Sequence, residues 1–261
     1  MERRKTMPLE IITLPCLSDN YAYLLHDAKS GKTALVDAPE AEAINSALTA
    51  RGWGLDAILL THHHYDHIDG TEELRSRYGA QVYGAGADAA RLPPLDHALE
   101  DGASFDLFGE EVQVLDVSGH TIGHIAFYLP QSQAVFTADS LMALGCGRLF
   151  EGSPEMMWVS LNRLMALPPQ TLVYSGHEYT QSNARFAVTI EPDNANLQLR
   201  IDEIDAKRAI GEATVPSPLQ LELDTNPFLR AHLDEVKMAI GMQDAENKAV
   251  FAEIRQRKDN F

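Results

Sequence analysis

Cysteine is scarce: the 261 residues hold two, Cys16 and Cys146. Two thiols so far apart make no disulfide framework, and a reducing cytoplasm is the expected setting. Basic residues are few beside acidic ones, 21 Lys and Arg against 38 Asp and Glu, for a net charge of −17. Such a surface repels nucleic acid unless a basic stripe gathers locally, and no long Lys/Arg run occurs. The opening MERRKT and the closing segment FAEIRQRKDNF tip the other way. No apolar stretch reaches the length of a bilayer span, so no membrane partner is expected. In the opening MERRKTMPLEIITLPC, Pro8, Glu10 and Pro15 interrupt any apolar run, and a secretory signal is not expected. No heptad or broad apolar stripe stands out, which leaves a monomer as the expectation.

What is present is a sizeable core, with 45% hydrophobic residues. LEIITL (9–14), YAYLLHD (21–27) and KTALVDA (32–38) read as strands separated by turn residues. EAEAINSALTA (40–50) has helical spacing, AILL (57–60) reads as a buried strand, and TEELRSRYGA (71–80) as a helix stopped by glycine. Strands return at EVQVLDV (111–117), HIAFYLP (124–130), QAVFTAD (133–139) and TLVYSG (171–176). The helix SPEMMWVSLNRLMAL (153–167) carries Ser153 as its cap and Pro154 in its first turn. Beyond about residue 180 strand signals fade, and segments 194–210 and 243–258 are helical in pattern. The expected organisation is a mixed α/β domain over residues 1–179 and a helical domain over 180–261.

The densest chemistry lies in THHHYDHIDG (61–70), between a strand and a helix. His62 and His64 are two apart, so an extended chain directs both to one side. Asp66 and His67 follow where the chain must turn. Imidazole and carboxylate together suit zinc, iron or manganese. Downstream, His120 in SGHTIGH, Asp139 in FTADS and His177 in YSGHEYT each stand at the end of an expected strand, where such scaffolds present their chemistry. Seven ligands exceed what one tetrahedral ion takes and suit two ions sharing a carboxylate. Asp139 suits the bridge, because a carboxylate has two oxygens. His63 and His124 are expected to be structural or to support the ligands, and the two cysteines to be inert.

These motifs carry a resemblance. T-H-x-H-x-D-H with a later GHT, an aspartate after a strand and GHEYT resembles the metallo-β-lactamase superfamily. LPCLSDNYAYLL, VDAPE (36–40), GCGRLFEG (145–152), NPFLR (226–230) and RQRKDNF (255–261) are similar, more narrowly, to the hydroxyacylglutathione hydrolase, or glyoxalase II, family. The resemblance implies a four-layer αββα sandwich followed by a C-terminal helical domain. It implies that His62, His64 and His120 hold one divalent ion, that Asp66, His67 and His177 hold a second, and that Asp139 bridges. Zinc is the first expectation, with iron or manganese open. Asp37 matches an early aspartate of the family and is expected to orient the loop. Arg148, Tyr179, Arg255 and Lys258 match positions that bind the glutathione moiety, whose carboxylates suit guanidinium and ammonium groups. Phe150 stands where some relatives carry tyrosine, and Arg148 where some carry lysine.

The implied activity is metal-dependent hydrolysis of S-(2-hydroxyacyl)glutathione, typically S-D-lactoylglutathione, to glutathione and D-lactate, the second step of methylglyoxal detoxification. A hydroxide held at the metals by Asp66 and Asp139 is the expected nucleophile. Neither cysteine nor Ser140 is needed as one, and a thiolate leaving group requires no strong acid. Lactonase, β-lactamase and nuclease activities share the fold. A one-iron sulfur dioxygenase of the fold would lack a complete second ligand set, whereas His67 and His177 are both present here. A metal-binding module without catalysis is the rival from outside enzymes.

Overall fold

The structure, a computed structural model, describes residues 8–261. The basic opening MERRKTM, expected not to act as a secretory signal, lies outside them. The apolar runs fold into two six-stranded sheets. The first follows chain order: β1 (Glu10–Cys16), β2 (Asn20–Asp27), β3 (Lys32–Val36), β4 (Ala57–Leu59), β5 (Gln81–Ala85) and β6 (His97–Leu99). Its first three strands are antiparallel meanders, and β3 to β6 run parallel. The second holds β7 (Ser104–Leu107), β8 (Glu110–Asp116), β9 (Ile125–Leu129), β10 (Ala134–Ala138), β13 (Leu172–Ser175) and β14 (Ser217–Pro218), in the order β14-β13-β10-β9-β8-β7. A short hairpin, β11 (Leu141–Met142) with β12 (Gly145–Cys146), stands apart. Helices α1 (Ala41–Arg51), α2 (Tyr65–Ile68), α3 (Thr71–Tyr78) and α4 (Pro154–Met165) complete the expected αββα sandwich. α5 (Thr180–Ile190), α6 (Ala195–Ala209), α7 (Leu219–Thr225), α8 (Asp234–Ala239) and α9 (Asn247–Asp259) form the helical region that follows.

The chain gathers into two compact units, one running to Asp116 and resuming at Gly123–Phe136, the other Val117–Ile122 with Thr137–Phe261. Within the first, β2 and β9 are buried along nearly their whole length, as continuous apolar runs covered on both faces are. Tyr23 of β2 meets Phe136 of β10 at 5.4 Å between ring centroids, which joins the sheets face to face. Leu25, Leu35 and Ile58 are fully buried, each contributing about 1.5–3 kcal/mol. α1 and α3 end as their sequences dictate, on Gly52 and Gly79 in left-handed conformation.

In the second unit Ser153 caps α4 by accepting from Met156 N–H, with Pro154 in the first turn. Phe228 stacks on Phe186 at 5.9 Å and meets Phe251 edge-on at 6.0 Å. A buried polar network explains the NPFLR motif. Asn226 Nδ2 donates to the Met142 and Gly145 carbonyls at 3.1 and 3.0 Å, and Asn183 Nδ2 to Ala143 O at 3.0 Å, so the hairpin β11–β12 is held by its backbone. Buried Glu222 accepts from Arg200, Ser217 and the Leu144 N–H.

The sequence reading needs additions here. QVYGA, HAL and SFDL form β5, β6 and β7, too short or too polar to announce themselves by alternation. Strand structure does not end by residue 180: Ser217–Pro218 pairs with β13. Helices α5, α7 and α8 also form beyond the two segments expected after that point.

Candidate metal centre

Asp37 organises the histidine loop. The parallel register sets Val36 opposite Leu59, so the chain leaving β3 emerges beside the chain leaving β4. Asp37 takes a left-handed conformation, φ 57°, which aspartate tolerates better than most residues. Its Oδ1 accepts from the Thr61 N–H at 2.9 Å, and its Oδ2 accepts from Thr61 Oγ1 at 2.9 Å. The hydroxyl has one proton and gives it to Asp37. Its contact with His62 Nδ1 at 3.0 Å is therefore Nδ1–H donating to Oγ1. Asp37 Oδ2 also accepts a hydrogen bond from His67 Nδ1–H at 2.8 Å. One carboxylate thus fixes the tautomer of two buried imidazoles and leaves each Nε2 lone pair for an ion.

The other loop members are held as closely. His62 Nε2 and His64 Nδ1 approach to 3.1 Å. Asn20 Nδ2 donates to Asp66 Oδ2 and to its carbonyl, both at 3.0 Å. His124 stacks on His62 at 4.5 Å and an interplanar angle of 9°. His63 turns away, bonding Asp88 at 2.9 Å.

Among the strand-end residues, Asp139 Oδ2 lies 3.4 Å from His120 Nε2 and 3.3 Å from His177 Nε2. His120 donates from Nδ1 to the Arg148 carbonyl at 2.7 Å, which again leaves Nε2 as the ligating atom. The GCGR motif follows from this contact. A Cβ on Gly147 would stand 1.9 Å from the Asp139 carbonyl and 2.9 Å from His120 Nδ1, so no side chain fits. Tyr179 stacks on His177 at 4.7 Å and 7°, and Phe150 meets His120 edge-on at 5.3 Å.

Three groups offer ligand atoms within 4.8 Å of one another: His62, His64 and His120; His62, His67 and Asp139; Asp66, His67 and His177. All seven expected residues appear, shared as two neighbouring ions would share them. Imidazoles with the far nitrogen protonated, beside carboxylates, fit divalent transition ions. Asn20, Thr61, Asp88 and Gly147 escaped sequence reasoning. None is among the expected ligands, and Asn20, Thr61 and Gly147, though not Asp88, lie in segments already marked by resemblance.

The cations expected near substrate are placed less uniformly. Arg148 is largely exposed and pairs with Asp259 through Nε at 3.4 Å. Lys258 lies over the rings of Phe186 and Phe261 at 5.2 and 5.3 Å. Burial, then the nearby Arg255 and Arg185, push its ammonium down to about 8. Arg255 is buried: Nη1 donates to the Cys146 carbonyl and Nη2 to Asp259, both at 2.9 Å, and Phe228 covers the guanidinium at 5.1 Å. Only its Nε has no partner among the described residues. Cys16 and Cys146 are free and buried, and burial pushes their thiols up to about 12 and about 11.

Paired sheets with a histidine–aspartate cluster at their strand ends define a metallohydrolase-type fold of the metallo-β-lactamase kind. Residues 18–177 match the family described as the metallo-beta-lactamase superfamily, and residues 178–261 the hydroxyacylglutathione hydrolase C-terminus. The chain is 66% identical over 255 residues to a hydroxyacylglutathione hydrolase of Ruegeria pomeroyi, covering 98% of this chain and all of that relative. Similar solved structures include TTHA1623 in a di-iron-bound form (30% identity, TM-score 0.60, 84% of this chain and 100% of that one). ETHE1 from Myxococcus xanthus shares the fold (24% identity, TM-score 0.66, 97% and 98% covered). The chain belongs to the hydroxyacylglutathione hydrolase family of the metallo-β-lactamase superfamily.

Proposed function

We propose that this chain is a dinuclear metal-dependent thioesterase that hydrolyses S-(2-hydroxyacyl)glutathione, typically S-D-lactoylglutathione, to glutathione and D-lactate. The observation that carries this is the grouping of five imidazoles and two carboxylates into overlapping ligand sets, in a chain whose relatives bear that enzyme's name. His62, His64 and His120 would hold one ion, Asp66, His67 and His177 the other, with Asp139 between them. Zinc is the first choice, and iron or manganese suits the same donors. Two such ions supply Lewis acidity, lowering the pKa of water from about 15.7 to about 7 and polarising the thioester carbonyl.

The chain's own residues do the remainder. Asp66 and Asp139 would accept hydrogen bonds from the attacking water. Asp37 and the Arg148 carbonyl keep His62, His67 and His120 in the ligating tautomer. The leaving sulfur has a pKa near that of cysteine, about 8.5, and departs as thiolate without a protein acid. Arg148, Tyr179 and Lys258 would receive the glutathione moiety, with Arg255 as the buried anchor of that group and its Nε as the remaining donor. Residues 1–179 would then serve as the catalytic domain and 180–261 as the substrate-binding one, in a monomer working in the cytoplasm.

The test follows loss of thioester absorbance with lactoylglutathione, with metal analysis on the same sample. The expected result is about two ions per chain and activity abolished by a chelator and restored by metal. Full activity in metal-free protein would remove the proposal.

A further inference from the structure

The last helix carries one carboxylate among its closing cations, and it is placed to do more than neutralise them. Asp259 Oδ1 accepts from Arg255 Nη2 at 2.9 Å and lies 3.4 Å from Arg148 Nε. Arg255 is 5% exposed, and its other terminal nitrogen holds the carbonyl of Cys146, two residues before Arg148. The segment 146–148 is therefore gripped twice by α9, at its backbone through Arg255 and at a side chain through Asp259.

Arg148 needs such a grip. Its side chain is 58% exposed, and an unrestrained arginine carries about 2 kcal/mol of rotamer entropy that binding must remove. Asp259 engages Nε alone. Nη1 and Nη2 have no hydrogen bond among the described residues, so the end-on fork that recognises a carboxylate in two parallel bonds is left open. The carboxylate also counters the repulsion between Arg255 and Lys258, whose ammonium is depressed by burial and then by Arg255 and Arg185.

We propose that Asp259 is a positioning residue for substrate binding: by holding Arg148 through Nε while anchored on buried Arg255, it presents the Arg148 fork to a carboxylate of the glutathione moiety. This rests on the thioesterase function proposed above.

Steady-state kinetics of the metal-loaded enzyme with S-D-lactoylglutathione test it. Asp259→Asn raises KM by about fivefold, the upper end for an exposed pair, with kcat and metal content unchanged. On an Arg148→Ala background the same change leaves KM where Arg148→Ala put it. Asp259→Glu keeps a counter-charge for buried Arg255, and so protects the fold, while moving the carboxylate by one methylene. It raises KM by about twofold, again only where Arg148 is present. An unchanged KM in both Asp259 variants, or an equal rise without Arg148, or a fall in kcat with lost metal, overturns the positioning role while leaving the thioesterase intact. No turnover by the wild-type enzyme removes both.

Discussion

The histidine loop and the end of α9 both gather polar groups, and they hold them in opposite ways. In the loop His62, Asp66 and His67 are pinned from behind. Asp37 fixes His67 directly and His62 through Thr61, and Asn20 holds Asp66. At the end of α9, Lys258 and the neighbouring Arg148 of the 146–148 segment stay partly in solvent, steadied by one ion pair and by aromatic rings. Ligands around a metal must be set within a fraction of an ångström. A grip on a flexible peptide tolerates slack and works through charge. The difference predicts that damage to the loop removes catalysis, whereas damage to the helix end only loosens the substrate.

The strongest way to break that contrast is at the ligands. Asp139→Asn is expected to lower kcat/KM on the order of 10³-fold or more and to cost bound metal, measured by thioester hydrolysis with elemental analysis. Next comes Asp37→Asn, which touches no substrate. It should weaken metal affinity by about 10- to 100-fold, seen in chelator competition.

Smaller effects belong to the helix end. Lys258 has its pKa lowered to about 8, so it is charged below that pH and neutral above it. KM is expected to rise as pH passes through about 8 while kcat holds, and Lys258→Met should flatten that rise. Smallest of all is the response to a thiol alkylating agent at neutral pH. With both thiols buried and raised to about 12 and about 11, native protein should keep its full activity. Inactivation by alkylation would place a cysteine in the chemistry.

Legibility in the sequence follows the same divide. The ligands could be read because metal chemistry restricts residue types and because strands such as AILL and QAVFTAD end where ligands must begin. Asp37 was readable only as a likeness, since its partners Thr61 and His67 meet it through parallel strand register. The burial of Arg255 was not legible. Three residues from Lys258 on a polar helix, it matches a glutathione-binding position, and only the packing of Phe228 and the Cys146 carbonyl shows that it is buried. Strands β5, β6 and β7 escaped because their pairing partners, not their own periodicity, make them strands.

Asp37 has a consequence for how the centre fails. A single oxygen, Oδ2, serves imidazoles assigned to different ions, one directly and one by way of a hydroxyl. Replacing that carboxylate should therefore loosen both imidazoles together, so that Asp37→Asn weakens both proposed positions in chelator competition and not one alone.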